Sequence, residues 1–153
     1  MSFVDTNYQH QKSIASEEML SDFAHQFSTH ITPGMIIGLR GDIGSGKTTF
    51  VRSLGQALGS HDWINSPTYS IIQSYIAKDL TIVHVDLYRC TSDGDIDQLD
   101  LFSLLNDHSI LIIEWVDQSS HIQSDIVCDF TYINDHERLL TISSHNCEWI
   151  TQL

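Results

Sequence analysis

The part of this sequence with the clearest chemical potential is a glycine-rich segment that runs into a lysine and two threonines. Gly41, Gly46, Lys47 and Thr48 follow the spacing Gly-x-x-x-x-Gly-Lys-Thr, and a further glycine stands at position 44. Glycines let successive backbone N–H groups turn toward one point, and a helix that starts there adds the positive end of its dipole. The segment therefore predicts a loop that cradles phosphate groups.

The side chains of this loop are expected to have separate roles. The Lys47 ammonium group should reach the β- and γ-phosphates of a nucleoside triphosphate, and the Thr48 hydroxyl should face Mg²⁺. Thr49 can donate toward the α-phosphate. The full set expected to bind the nucleotide is Gly41, Asp42, Gly44, Ser45, Gly46, Lys47, Thr48 and Thr49. The alternative is a chance glycine turn before a helix, and the elements on either side argue against it.

A nucleotide site of this kind also needs a carboxylate near the metal, and two apolar runs end in one. "TIVHVD" ends at Asp86 and "ILIIE" ends at Glu114. We expect Glu114 to be the metal-side carboxylate, because its run is apolar throughout, whereas His84 interrupts the other. Asp86 is expected near the metal or the attacking water. Either acid could instead simply end a strand and meet solvent.

Thr68 lies in the short stretch "NSPTY", for which two interpretations stay open. Ser-Pro is turn chemistry, so the stretch can be a plain turn. Thr68 can also act catalytically as a sensor that bonds the γ-phosphate or metal and reports its loss on hydrolysis.

Alternating helices and strands are expected around these residues. An apolar run over residues 35–41 predicts a buried strand that enters the loop, and residues 47–58 predict the amphipathic helix that leaves it. A helix over 16–29 begins at Ser16, a residue suited to an N-cap. The other expected strands are 70–76, 80–86, 109–115, 125–133 and 139–143.

The arrangement expected from these elements is an α/β fold around a central mixed, partly parallel β-sheet with three layers. Three residues separate 70–76 from 80–86, which predicts an antiparallel hairpin. The last two strands should form a second hairpin at an edge of the sheet. Between the hairpins, Ile96, Leu99 and Phe102 predict a short helical face.

Composition limits the classes of function. The chain has 153 residues, 41% of them hydrophobic, which suits one domain spanning residues 1–153. Seven Lys and Arg residues stand against twenty Asp and Glu, a net charge of −13, which argues against direct RNA or DNA binding. The acidity fits a protein partner with a basic surface, or simply keeps a small protein in solution.

Metal clusters, disulfides and membrane segments are not predicted. Three widely spaced cysteines form no Cys-x-x-Cys pair, and nine histidines show no metal-ligand spacing. The first residues lack the pattern of a signal peptide, and no apolar run approaches roughly 20 residues, the length of a membrane span. We therefore expect a cytoplasmic protein that does not contact the membrane.

Four blocks taken together resemble the TsaE (YjeE) family of small bacterial P-loop ATPases. They occur in the family's order and at fitting spacing: "LRGDIGSGKTTFVRSLGQALG", "SPTYSIIQSY", "VHVDLYR" and "IIEW". The resemblance implies a single-domain P-loop NTPase that binds ATP and Mg²⁺, hydrolyses ATP weakly alone, and works with the partner proteins TsaB and TsaD. Those proteins make threonylcarbamoyladenosine in tRNA, so this chain would contact tRNA only indirectly, through the complex.

Site roles also follow from the resemblance. It implies that residues 44–49 hold phosphate, that Thr48 and Glu114 lie at the metal, that Thr68 belongs to a switch-like segment and that Asp86 is linked to hydrolysis. Tyr88, Arg89 and Trp115 fall within the matching blocks without a settled role, and a place for Arg138 near the nucleotide rests on weaker grounds. The chain departs from the family after "DLYR", where Asp95, Asp97, Asp100, Ser103 and Leu104 replace its usual acid, glycine and aromatic positions.

Three other functions are considered. A small-molecule kinase of the same loop class usually adds an arginine-bearing lid, and no such basic stretch occurs in the sequence. A GTP-binding switch would need the guanine-reading Asn-Lys-x-Asp pattern, which is also absent. A nucleotide-binding module without hydrolysis stays open.

Overall fold

The structure, a computed structural model, describes residues 8–153 as one seven-stranded sheet with helices on its two faces. The elements in chain order are β1 (Tyr8–Ile14), α1 (Glu17–Ser28), β2 (Ile36–Gly41), α2 (Lys47–Ala57), β3 (Ile72–Ile76), β4 (Thr81–Asp86), α3 (Asp93–Asp97), β5 (Ser109–Glu114), β6 (Ile126–Tyr132) and β7 (Arg138–Ser144). Short 3₁₀ helices lie at Leu101–Leu104, Val116–Gln118 and Glu148–Gln152.

The sheet is mixed, with its parallel strands in the middle. Its order is β1-β7-β6-β2-β5-β4-β3. β2 lies between two parallel neighbours, β5 and β6, and β4 runs parallel to β5. The outer pairs are antiparallel, including the predicted β3–β4 hairpin. The predicted α/β class is confirmed. The parallel strands bring the carboxyl ends of β2, β4 and β5 to the same end of the sheet, where such sheets bind ligands.

The position of the last hairpin differs from the prediction. β6 and β7 do pair antiparallel, but β6 adjoins β2 and β1 covers β7, so the hairpin is not at an edge. β1 takes the edge instead. No sequence signal marks this strand, because its half-buried positions are Tyr8, His10 and Lys12 and only Ile14 is buried. A strand with so few apolar residues lacks the alternation from which strands are predicted.

α1 and α2 cover one face of the sheet through an aromatic cluster. The Phe27 and Phe50 rings meet edge to face at 5.6 Å, and Phe130 of β6 lies 5.9 Å from Phe50. All three side chains are buried, each contributing about 2 kcal/mol of burial energy. The Ser16 hydroxyl caps α1 by accepting from the Met19 N–H at 3.1 Å, as predicted. Because Phe50 lies in the first turn of α2, this cluster holds the start of α2 over the sheet.

Short helices cover the opposite face, over β4 and β5. Ile96 of α3 is buried there and Leu99 is half-buried, as predicted, but Phe102 is 58% exposed, so its predicted place in the helical face is wrong. Asp100, at the position where the resembled family has glycine, has a left-handed backbone with φ of 48°. Aspartate tolerates that conformation better than most residues.

Gly41, where β2 ends, has a conformation and a packing environment that only glycine fits. Its φ is 142°, and an added Cβ would lie 2.7 Å from the Phe130 carbonyl oxygen. We expect Gly41→Ala to lower the free energy of unfolding by about 3 kcal/mol in urea titrations. Gly34→Ala is the control, because Gly34 also has a positive φ, 92°, but an added Cβ meets nothing within 4 Å. The control should lose about 1 kcal/mol, and equal losses would contradict the packing argument.

Candidate functional site

The loop between β2 and α2 is curled so that its backbone surrounds a small concavity. Gly41, Gly44 and Gly46 all have positive φ, at 142°, 74° and 113°. The Ser45 N–H bonds the Asp42 carbonyl at 3.1 Å, which closes the turn inside the loop. The first N–H groups of α2 follow directly and have no earlier helical turn to bond. This backbone can bind an anion without any charged side chain.

Lys47 is the one cation of this loop. Its side chain is buried, and its ammonium group donates to the carbonyl oxygens of Gly41 and, at 2.9 Å, of Asp42. The same Nζ atom lies 4.2 Å from the centre of the Trp115 ring. Burial lowers the pKa of Lys47 below its ordinary value, against the opposing effect of nearby carboxylates, of which Glu114 is the strongest. The ammonium group is thus held beside the loop by two backbone carbonyls and an aromatic ring.

The two strand-end carboxylates lie side by side. Asp86 and Glu114 are directly paired in the β4–β5 register, and both are almost fully buried. Strand residues two apart share a face of the sheet, so these acids lie on the side that α2 covers. There the Thr48 hydroxyl donates to Glu114 Oε1 at 2.8 Å. The expected neighbourhood of loop, threonine and metal-side acid is therefore present in the geometry.

His84 lies on the same face and corrects one step of the sequence argument. It does not interrupt β4: the side chain is fully buried, and every residue of the strand after Thr81 is buried too. The imidazole Nε2 lies 2.8 Å from Glu114 Oε1. The residue that weakened the apolar pattern of β4 is thus a polar partner of the expected metal-side acid. Its position two residues before Asp86 was the signal, since period-2 alternation places both on one face.

Asp86 accepts hydrogen bonds from two hydroxyl groups of the "NSPTY" turn. Its Oδ2 accepts from Ser66 at 2.8 Å and from Thr68 at 3.1 Å, while Oδ1 accepts from the Tyr88 N–H at 2.9 Å. The turn is held against β4 because the Asp86 N–H donates to the Ile71 carbonyl at 2.8 Å. Ser66 is a site residue that the sequence analysis missed. Its place two residues before Thr68 in the same turn was the available signal.

These groups line one open pocket of about 280 Å³, called the phosphate pocket below after the ligand predicted for its loop. The predicted residues that it brings together are Gly44, Gly46, Lys47, Thr48, Thr49, Thr68, Asp86 and Glu114. Three predicted loop residues lie outside it: Gly41 and Asp42 contribute carbonyls to Lys47, and Ser45 faces the other side of the loop. The other lining residues are Ile43, Ser66, Tyr88 and Trp115, and the Tyr88 and Trp115 rings are 5.0 Å apart.

A second pocket, of about 300 Å³, lies on the other side of the same loop. Ile14–Glu17 line it from one side, and Asp135, His136 and Arg138 from another. Both pockets share Gly44, Gly46 and Thr49. The Arg138 guanidinium donates to the Gly44 carbonyl at 3.4 Å and stacks 4.6 Å from the Tyr132 ring. An elongated ligand with an anionic tail and a flat head could occupy the two pockets together.

The oxygen groups of the phosphate pocket fit Mg²⁺. The Thr48 hydroxyl and the carboxylates of Asp86 and Glu114 are hard oxygen ligands of the kind that Mg²⁺ prefers. The ion commonly completes its coordination shell with phosphate oxygens and water. Within residues 8–153 no group of three or more His, Cys, Asp or Glu side chains could hold a metal by itself. The pocket therefore suits a metal that arrives with a phosphorylated ligand.

No arginine among the described residues lines the phosphate pocket. Arg40 pairs with Asp129 at 3.0 Å, Arg52 bonds the Ile64 carbonyl, and Arg89 lies over the Tyr69 ring. Arg138 lines only the second pocket. The one ammonium group at the phosphate pocket is that of Lys47.

None of the helices in residues 8–153 combines the length and apolar character of a membrane span.

Comparison with known proteins identifies one family. A protein-family model described as "Threonylcarbamoyl adenosine biosynthesis protein TsaE" matches residues 14–140. The tRNA threonylcarbamoyladenosine biosynthesis protein TsaE of Rickettsia bellii is 34% identical over 137 residues, which cover 88% of this chain and 94% of that protein. The protein of the same name from Haemophilus influenzae is 30% identical over 119 residues, 76% of this chain and 75% of its own.

A solved structure has the same fold. The crystal structure of Bacillus subtilis YdiB superposes with a TM-score of 0.74 at 23% identity and covers 91% of this chain and 87% of that one. At this identity the match shows the fold alone.

Proposed function

The chain belongs to the TsaE family, whose role lies in threonylcarbamoyladenosine biosynthesis in tRNA, and from that premise we propose that it binds and hydrolyses ATP with Mg²⁺. We propose further that residues 1–153 work as a single P-loop ATPase domain that supports the TsaB–TsaD complex. The compartment we propose is the cytoplasm, where tRNA is modified. Contact with tRNA is indirect, because a net charge of −13 repels a phosphate backbone.

The observation that carries the proposal is the union of the glycine loop with two carboxylates in one pocket. Loop amides and a lysine alone would suit any phosphate. The paired Asp86 and Glu114, with the Thr48 hydroxyl on Glu114 Oε1 at 2.8 Å, add the groups that a metal-dependent phosphoryl transfer needs. The catalytic work is positioning and charge stabilisation, for which fixed amides and oxygens suffice.

Each side chain has a proposed role in this reaction. Lys47 binds the β- and γ-phosphates, and Thr48 and Glu114 hold the metal. Bound Mg²⁺ supplies charge neutralisation at the phosphate oxygens. Asp86 orients the attacking water. Thr68, now bonded to Asp86 at 3.1 Å, is placed to exchange that partner for the γ-phosphate and to lose it after hydrolysis.

The second pocket is the proposed place of the nucleoside. It shares Gly44, Gly46 and Thr49 with the phosphate pocket, so a triphosphate that runs through the loop would reach both. Its walls combine apolar surface from Ile14, Leu20 and Phe130 with the polar side chains of Ser16 and Glu17, which suits an adenine ring and a ribose.

The absence of an arginine from the phosphate pocket supports weak hydrolysis by the chain alone. An added arginine can raise phosphoryl transfer rates by about 10³-fold or more. In the described part of the chain only Lys47 supplies positive charge to this pocket. We propose that a TsaB or TsaD surface completes the site and that hydrolysis resets the TsaB–TsaD assembly between rounds of modification.

A reconstitution with TsaB, TsaD, the threonylcarbamoyl donor and tRNA tests this function. With the wild-type chain we expect many modified tRNAs per TsaD, and without it we expect turnover to stop after the first round. Asp86→Asn should keep ATP affinity but lower phosphate release about 100-fold and return the reaction to one round. Asp97→Asn removes an exposed acid of α3 and serves as the control, with no effect expected.

Repeated turnover at the full rate without the chain would refute the supporting role. Label transfer from γ-labelled ATP to a small metabolite would favour a kinase instead. Tight ATP binding with no phosphate release, with or without TsaB and TsaD, would leave a nucleotide-binding module.

A further inference from the structure

His84 is the one imidazole that the described sheet buries completely on the side covered by α2. Ile82, two residues earlier in β4, lies on the same face, and Ile112 is the register partner of His84 on β5. Both isoleucines are fully buried as well. An imidazole in this apolar layer costs free energy unless its polar atoms are bonded.

The single bond of this imidazole goes to Glu114. His84 Nε2 lies 2.8 Å from Glu114 Oε1, whereas His84 Nδ1 is buried and has no partner in the described part of the chain. A neutral imidazole with its proton on Nδ1 would leave that donor unsatisfied and would also set the Nε2 lone pair against the Glu114 carboxylate, which only accepts hydrogen bonds. The arrangement assigns the proton to Nε2, which donates it to the carboxylate.

Both bonds that Glu114 accepts converge on one oxygen. Thr48 and His84 donate to Oε1, at 2.8 Å each, and neither donates to Oε2. Two donors from different elements, α2 and β4, fix the carboxylate plane better than one. Thr48 also belongs to the proposed metal shell, so its hydroxyl would bind the metal in place of Glu114 when the metal is present. His84 has no such second duty.

From these contacts we infer that His84 is a positioning residue that holds Glu114 by Oε1 and leaves Oε2 available to the metal shell. The inference deepens the proposed function and rests on it. Outer partners of this kind orient a ligand and commonly change metal affinity or activity by about 10- to 100-fold when removed. His84 touches neither nucleotide nor metal in this scheme, so its effect must pass through Glu114.

The test measures ATP affinity in the presence of Mg²⁺ and in EDTA, together with thermal unfolding of each apoprotein. The ratio of the two affinities is the Mg²⁺-dependent gain. His84→Leu introduces an apolar side chain of similar size and removes the donor, and we expect it to reduce the gain at least about 10-fold. ATP affinity in EDTA should change by less than about threefold, because the loop amides and Lys47 are untouched.

Two polar variants separate positioning from packing. His84→Gln can place its amide nitrogen near the original Nε2 position and should retain the gain within about threefold. His84→Asn is too short to reach Glu114 and should lose it as His84→Leu does. Val83→Ala, on the opposite face of β4, is the stability control: it should lower the unfolding temperature and leave the gain unchanged.

The outcomes distinguish this inference from the function on which it rests. If the wild-type chain shows no ATP affinity or no gain with Mg²⁺, both are overturned. If the wild type shows the gain and His84→Leu keeps it in full, only the role of His84 is overturned. Should His84→Leu fail to fold, the Gln and Asn pair decides, and equal gains in those two variants would refute the inference.

Discussion

Replacing Lys47 with alanine is expected to lower the affinity for ATP with Mg²⁺ by at least about 100-fold. The side chain carries the one cation at the phosphate pocket in the described chain. Charge-assisted bonds to a phosphate are each worth about 1.5–3 kcal/mol, and about 1.4 kcal/mol corresponds to a tenfold change in affinity. Two such bonds account for the expected loss. Titration calorimetry or a fluorescent ATP analogue measures it.

The same substitution should leave the folded protein nearly as stable as before. Burial lowers the pKa of Lys47, so the fold disfavours the charged form, and wherever the side chain is protonated in the folded protein the ammonium group opposes folding. Losing its bonds to the Gly41 and Asp42 carbonyls acts in the other direction. We expect the two effects to leave the free energy of unfolding within about 1 kcal/mol of the wild type. A loss of affinity that merely followed unfolding would show as a lowered urea midpoint.

Lys78→Ala provides the matched control, because it removes one positive charge from an exposed position outside both pockets. Its ATP affinity should equal that of the wild type at moderate salt. Unchanged affinity in Lys47→Ala would mean that this loop does not bind the nucleotide, and the proposed function would be lost with it.

Glu114→Gln is expected to abolish most of the benefit of Mg²⁺ and to lower phosphate release by about 100-fold. The amide keeps the size of the side chain and can still accept from Thr48 and His84 on one oxygen. What it loses is the negative charge that a divalent cation requires. ATP affinity in EDTA should therefore change little, while affinity with Mg²⁺ falls toward that value.

Comparison with Asp86→Asn separates the two acids. Asp86 bonds the hydroxyls of Ser66 and Thr68, and we expect its amide variant to retain the Mg²⁺-dependent gain while losing hydrolysis. Glu148→Gln, at an exposed position in the last 3₁₀ helix, controls for the loss of one carboxylate. A full gain in Glu114→Gln together with its loss in Asp86→Asn would reverse the roles proposed for these residues.

The phosphate loop and its flanking elements could be predicted because their signals are local. A glycine at each position of positive φ, a lysine at the first helical position and an apolar strand before them are all read within one short stretch. The N-cap at Ser16 and the buried strand ending at Glu114 are equally local. Backbone preference and burial periodicity act over a few residues, so the sequence alone carries them.

The tertiary structure decided the contacts that join distant segments. β1 is mostly polar and becomes a strand only because β7 offers it hydrogen bonds, which no pattern within residues 8–14 records. The bond between His84 and Glu114 depends on β4 lying beside β5 in one particular register. The same pairing turns a histidine that weakened a strand prediction into the partner of an acid 30 positions away, because register and side-chain geometry are properties of the assembled sheet.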